Sequence, residues 1–543
     1  MVFARRSTTL LAAIIASCAM VLSLTACTSD NKTVVDGQTT VTSNSAGGVA
    51  VFTPSDGITL NQQTPLNKWA KLVPDLAKAL ADAGFKKGDI DHTTSDSLAK
   101  QSRAIQDFVV DHLSNNTTDD SGIAIAPDNM TLLVAPVVEA DASTRQYGDY
   151  ISQNLSTNDA TDGEATSDGE SSEDDSSKDD SSNTESDSTA SDEQAQAVDR
   201  LVSSLKLAKE SGMHVVLLGN SIEGYKPDAF VKFSDAQTIG KLQAEKMVSK
   251  LKLDKASKDN PKYIEVLLPY TAVDEKGNAN DSTFAQEAFR GIWQVLGSYY
   301  QKGVVESPSG TLDGKSTEND WQAVAYDAAK EGSTAKVLDK RLAKTDGQST
   351  LTRIDGIITM NDYIASEVVK ELDDLGYTGS AADINPQITI SGIVGNITGK
   401  KDLSRDAVPD PIKSPENDNA NDSSSSDDDA DEDTSASDKD RDSQWPLVTG
   451  YGAYVSNIPS IVNGKQWMTG MEDRQTIATD IAQASAKLNK DEALNSMPSI
   501  RNSEVGGVKK IPTISEPLLA VSASNLKSAL IDPGYISLAD AGL

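Results

Sequence analysis

Cysteine, histidine and clustered carboxylates are the side chains in this sequence that can carry chemistry, and their spacing separates them sharply. Cys27 ends the run Leu24-Thr25-Ala26-Cys27, behind the apolar stretch from Thr9 to Leu24, which itself follows Arg5 and Arg6. A basic start, a short apolar core and small residues before a cut site make a secretory signal. The stretch is short for a membrane-spanning helix. The other cysteine, Cys18, lies inside it. Residues 28–543 therefore hold no disulfide framework, no cysteine nucleophile and no thiolate metal site. His92, His112 and His214 are far apart, and none stands in an HExxH or similar setting. Neither a zinc site nor a Ser/His/Asp hydrolase is indicated. A glycosidase needs two carboxylates roughly 5–10 Å apart across a cleft, and no motif picks out such a pair. No GxGxxG opens a helix after a strand and no GxxxxGK[ST] occurs, so a nucleotide-binding enzyme is not indicated either. The expectation is a non-enzyme without metal or cofactor.

The end of the signal resembles the lipobox of bacterial lipoproteins. That resemblance implies that Cys27 becomes the mature N-terminus and carries acyl chains. Each buried CH₂ contributes about 0.8 kcal/mol, so two or more chains anchor firmly at the outer face of the cell membrane. The net charge is −33, which argues against nucleic-acid binding, since phosphate contacts need a basic surface. Most of that charge is local: residues 158–193 carry a net −13 and residues 414–443 a net −10. Both tracts are rich in Ser, Asp and Glu and poor in large apolar residues, so ordering entropy and charge repulsion keep them from folding alone. They read as disordered inserts, 155–195 and 405–443, within a folded body. Neither has the DxDxDG spacing of a calcium loop. Residues 28–48 read as a polar tether.

Roughly 400 residues remain, enough for two domains of ordinary size. Short apolar runs read as buried strands: 131–135, 214–218, 229–231, 263–268, 357–360 and 388–391. Amphipathic stretches of helical period lie between them, at 72–80, 201–208, 239–251, 284–300 and 364–372. Continuous apolar strands alternating with helices imply parallel sheets covered on both faces. The expected fold class is α/β, with two Rossmann-like, doubly wound parallel-sheet lobes.

Several segments, in order, resemble type 1 periplasmic-binding proteins, and among them the monosaccharide-binding proteins of ABC importers of the xylose and multiple-sugar branch. Lys68-Trp69, followed by a helix and Ala83-Gly84-Phe85, resembles the family's first strand, Arg-Trp and "EAGY". Gln101 to Val110 is similar to "QxxQIxxMI". Pro227 to Asp235 and Gly240 to Ala244 resemble "DFYISFDN…GELQA". Gly291 to Gly303 resembles "GAxxVLxPYxxSG", Met360-Asn361-Asp362 resembles "SND", and Ser524-Asn525-Leu526-Lys527 with Ile531 to Tyr535 is similar to "xxNLKxxxIDxGY". The likeness runs from about 57 to 543, broken by the two inserts. It implies two lobes joined by three crossing strands and closing on a ligand. The first would be 49–235 plus 472–492, the second 236–471 plus 493–543. It also implies a monomer that passes a small carbohydrate to an ABC permease.

Carried over residue by residue, the resemblance places the ligand among Lys68, Trp69, Asp235, Trp321, Asn361 and Asp362. Lys68 stands for an Arg, keeping the charge and losing the bidentate fork. Phe284, Gly452 and Glu472 stand where the family has Asn, Asp and Lys. These exchanges point to a pocket retuned for another ligand, lined by Tyr451 or Phe284, or to one that no longer takes sugar. A non-transport surface protein is the rival reading. The residues also admit structural roles: Trp69 and Trp321 as core, Asp235 and Asp362 as helix caps.

Overall fold

The computed structural model describes residues 46–55, 65–115, 129–138, 144–157, 185–273, 280–343, 350–381 and 443–543. All of them fall within the compact unit Ser45–Leu543; Cys27 lies outside the described residues.

The body is built on two sheets. The first begins with β1 (Gly48–Pro54), β2 (Ile90–Ser95), β3 (Met130–Val134), β4 (His214–Leu218) and β5 (Ala229–Lys232). The second follows with β6 (Lys262–Val266), β7 (Val305–Glu306), β8 (Gly356–Ile358) and β9 (Leu447–Val448). Three more strands and a late return complete the chain: β10 (Met468–Met471), β11 (Ile500–Val505), β12 (Val508–Ser515) and β13 (Leu519–Ser522). The first sheet has seven strands in the order β11-β12-β5-β4-β3-β1-β2, and the second has four in the order β7-β6-β8-β9. Within each sheet the order 2-1-3-4 of the first four strands reverses direction beside the first strand. That is the doubly wound pattern whose crevice lies outside the carboxyl ends of the strands. The expected fold class is the one the chain adopts.

The sequence dictates these strands by burial. β1 and β3 are buried along nearly their whole length, as befits parallel strands covered on both faces. Their side chains alternate between two cores: Val49, Val51 and Leu133 on one side, Ala50, Phe52, Leu132 and Val134 on the other. The helices are α1 (Trp69–Asp82), α2 (Leu98–Asn115), α3 (Glu185–Glu210), α4 (Ala236–Leu251), α5 (Thr283–Gln301), α6 (Asp362–Leu375) and α7 (Arg474–Leu488). α4 and α5 meet backbone to backbone. A Cβ on Gly240 would stand 2.2 Å from the Ala288 carbonyl oxygen, and one on Gly291 would stand 2.0 Å from that of Gln237.

The chain passes between the two halves at 233–235, 472–473 and 516–518. Several expectations need correction. β11 and β12, expected in the second lobe, form a hairpin whose Thr513–Ser515 pairs in parallel with Phe230–Lys232 of the first sheet. The first strand is β1, upstream of Lys68-Trp69, which instead open α1. The insert drawn at 155–195 is too wide at both ends. Leu155 is buried in a short strand with Ser221-Ile222, and α3 already starts at Glu185. The expected strand at 388–391 and most of the second insert, through Asp442, lie outside the described residues.

Candidate ligand-binding site

A cleft of about 480 Å³ opens where the halves meet. One wall is Ser152, Gln153 and Asn154, from the connection that follows β3; the other is the starts of α4 and α5, with Asp235, Gln237, Phe284 and Glu287. Both helices begin directly after strands or turns, so their N-termini aim at the cleft. Asp235 caps α4, its carboxylate accepting the Thr238 N–H at 2.7 Å, and pairs with Lys232 at 2.8 Å. Burial opposes its ionisation, but Lys232 and Thr238 outweigh that and hold its pKa below the ordinary value. Asp281 accepts the Thr283 N–H at 2.9 Å at the start of α5. Amides, carboxylates and one aromatic face are groups that can bond hydroxyls and stack on an apolar ring face. The volume is that of a small-molecule pocket.

Of the nine ligand-contact residues expected from sequence, Asp235 and Phe284 line this cleft. The others are drawn into the fold's internal packing and bonding. Lys68 Nζ pairs with Asp149 Oδ1 at 2.6 Å. Trp69 is buried in the first core, edge-on to Tyr150 and Phe233 with centroids 5.2 and 5.7 Å away. Trp321 is buried in the second core, edge-on to Tyr270 at 5.1 Å. Asn361, rather than Asp362, caps α6: its Oδ1 accepts the Ile364 N–H at 3.0 Å.

Asp362 is the first residue of that helix and is fully buried. Its carboxylate accepts the Tyr454 N–H at 2.9 Å, the Gln466 amide at 2.7 Å and the Thr469 hydroxyl at 2.9 Å. Burial pushes its pKa up to about 6 against the pull of those donors, so at neutral pH it is a charge held by three fixed donors. Glu472, also buried, accepts the Ser234 N–H at 2.6 Å, and desolvation raises its pKa to about 7. The Ser234 hydroxyl shares a 2.5 Å hydrogen bond with Tyr451, whose own pKa burial drives well above the ordinary value.

Sequence reasoning missed the segment Thr144 to Ile151, which packs among these residues. Tyr147 packs at 4.7 Å from Phe284 and 6.2 Å from Tyr451, and Tyr150 stacks on Phe233 at 4.7 Å. The signal was present: an Arg-Gln-Tyr-Gly-Asp-Tyr-Ile run is an aromatic island directly before the first acidic tract. Among the described residues, no group of three or more metal-ligating side chains comes together. No described helix is long and apolar enough to cross a membrane.

No protein-family model and no curated protein matches this chain. Solved structures do. A solute-binding protein of an ABC transporter from Clostridium phytofermentans, with β-D-glucose bound, is 17% identical over 91% of this chain and 99% of its own, with a TM-score of 0.44. A carbohydrate-transporter solute-binding protein from Chloroflexus aurantiacus, in complex with D-glucose, is 18% identical over 92% of this chain and 98% of its own, at 0.42. An arabinose-binding protein from Geobacillus stearothermophilus is 9% identical over 89% and 99%, at 0.41.

Proposed function

We propose that this protein is an extracytoplasmic solute-binding protein, lipid-anchored through Cys27, that captures a sugar or sugar-like molecule between its two halves and delivers it to an ABC import permease. It performs no catalysis. One lobe comprises the first sheet with its helices, including 472–492 and the hairpin 500–515; the other comprises the second sheet with β10, β13 and the C-terminal residues. The observation that carries the reading is the cleft between them, about 480 Å³, with Asp235, Gln237, Asn154 and Glu287 around the single aromatic face of Phe284. Hydroxyls on a ring could satisfy those groups, and the crossings at 233–235, 472–473 and 516–518 are the places where a hinge would flex.

The test is a thermal-shift and calorimetric screen of residues 28–543 against monosaccharides, oligosaccharides, nucleosides and polyols. A ligand at about 100 times its dissociation constant stabilises by roughly 2.7 kcal/mol, a shift of several degrees. Phe284→Ala should weaken any hit at least tenfold. Silence across the panel from a well-folded protein refutes the reading. The second reading, a surface protein of this fold without transport, is favoured by the internal bonding of Lys68, Asp362, Tyr451 and Glu472, which leaves those groups little to offer a ligand.

A further inference from the structure

Two tyrosines three residues apart belong to different cores. Tyr147, 1% exposed, lies in the core of the second half, packed on Phe284; Tyr150, also 1% exposed, lies in the core of the first half, between Trp69 and Phe233. The turn between them is bonded on both sides. Toward the first half, the Asp149 N–H donates to the Asn67 carbonyl at 2.8 Å, Asp149 pairs with Lys68, and the Tyr150 hydroxyl donates to the Lys68 carbonyl at 2.5 Å. Toward the second half, Asn361 donates its amide to Gln146 Oε1 at 3.1 Å, and the Tyr454 hydroxyl donates to the Gln146 carbonyl at 2.7 Å. Gly148 makes the turn possible: its φ is +98°, and a Cβ there would stand 2.5 Å from the Asn67 carbonyl oxygen.

We infer that the segment Thr144–Ile151 is an intramolecular strap that holds the two halves closed by seating one tyrosine in each, so that closure of this protein needs no ligand. In a hinged binding protein, the contacts a ligand makes to both halves stabilise the closed state. Here the chain supplies such contacts itself. The Tyr147 ring packs on Phe284 and lies beside Tyr451, and the ends of the same segment, Thr144 and Ile151, line the open cleft with Phe284. A ligand then adds to a closed molecule instead of closing an open one. The inference goes beyond the proposed function, because the strap would hold whether or not the cleft takes a sugar.

The absence of cysteine after Cys27 permits a clean test. Residues 28–543 carrying Lys206→Cys and Lys258→Cys, one exposed position on each half, are spin-labelled, and the distance distribution is measured by pulsed electron resonance. The strap predicts one narrow distribution for the ligand-free protein, unchanged by saturating glucose, arabinose or ribose. Tyr147→Ala, which withdraws one anchor, and Gly148→Ala, which forbids the turn while keeping every contact side chain, should both broaden the distribution and lengthen its mean. A ligand-free wild type that is broad, or that narrows when sugar is added, overturns the inference. So does a narrow, unshifted distribution in both variants. If neither variant folds, the ligand-free wild type with and without sugar still decides. Calorimetry with the same sugars is read separately: no heat with wild type or Tyr147→Ala counts against the sugar reading alone, whereas the distances alone judge the strap.

Discussion

Replacing Glu472 by Gln should flatten the dependence of stability on pH. Glu472 lies at the crossing between β10 and α7, 1% exposed, accepting the Ser234 N–H at 2.6 Å. The largest influences on its carboxylate are burial, the Ser234 and Tyr451 groups that bond it and the carboxylate of Asp235; its backbone N–H donates to Asn67 Oδ1. Desolvation, helped by Asp235, lifts its pKa from 4.5 to about 7. The folded protein therefore keeps a proton that the unfolded chain releases. The stabilisation from that proton is fully present below the unfolded value and is lost as the pH rises through about 7. Between pH 5 and pH 8 the linkage relation gives a loss of roughly 2 to 3 kcal/mol from this group alone. Gln keeps an acceptor for the Ser234 N–H and cannot titrate. Equilibrium urea denaturation of residues 28–543 at pH 5 and pH 8 measures both proteins, and Asp362, whose pKa is also raised, contributes equally to each. The difference between the two pH dependences should be about 2 to 3 kcal/mol, with wild type the steeper. Equal dependences would refute the argument that burial holds the proton on Glu472.

Asp362→Ala leaves three buried donors, the Tyr454 N–H, the Gln466 amide and the Thr469 hydroxyl, without their acceptor. At about 1–3 kcal/mol for each unsatisfied group, urea denaturation should show a loss of at least 3 kcal/mol by this order-of-magnitude count; a loss under about 1 kcal/mol would deny the residue a structural role. Its removal is consequently a poor probe of ligand binding, and Phe284 is the better one. Excising residues 159–184, which carry charge and little apolar surface, should move the melting temperature by less than about 2 °C, since shortening a connection changes closure entropy little. A drop of more than about 5 °C would show that the acidic tract contributes to the folded body.

What was legible in the sequence was what burial writes into consecutive residues. β3, β4 and β5 are short, mostly apolar runs, and α4, α5 and α6 show their period over several turns. What was not legible was polar or distant. β2, Ile-Asp-His-Thr-Thr-Ser, is an edge strand exposed over most of its length, so no apolar pattern marks it. β12 pairs with β5 across some 280 residues of chain, and its exposed Lys509 and Lys510 break the apolar pattern at its start. The same division runs through the site. Asp235 could be placed because a strand, a short polar link and a helix follow one another locally. Asn361 and Asp362 could be placed at their turn, but not assigned, because the choice between cap and ligand depends on Gln466, Thr469 and Tyr454, about a hundred residues later.

Tyr147 lies at the far end of that scale. The Tyr147-Tyr150 pair marks the segment in the sequence, but nothing local says whether Tyr147 faces solvent, a ligand or its own chain. Here the answer is set by Phe284, Asn361, Tyr451 and Tyr454, each more than a hundred residues away. Phe284 packs directly on Tyr147, and Glu472 is buried beside Ser234, whose hydroxyl bonds Tyr451. A carboxylic acid whose pKa is pushed up to about 7 can be buried at modest expense, since it need not carry its charge. On the proposed reading, Asp235, Glu287, Asn154 and the ring of Phe284, which line the open cleft, are the groups that select a ligand, so specificity should follow them and not the buried Glu472 and Asp362.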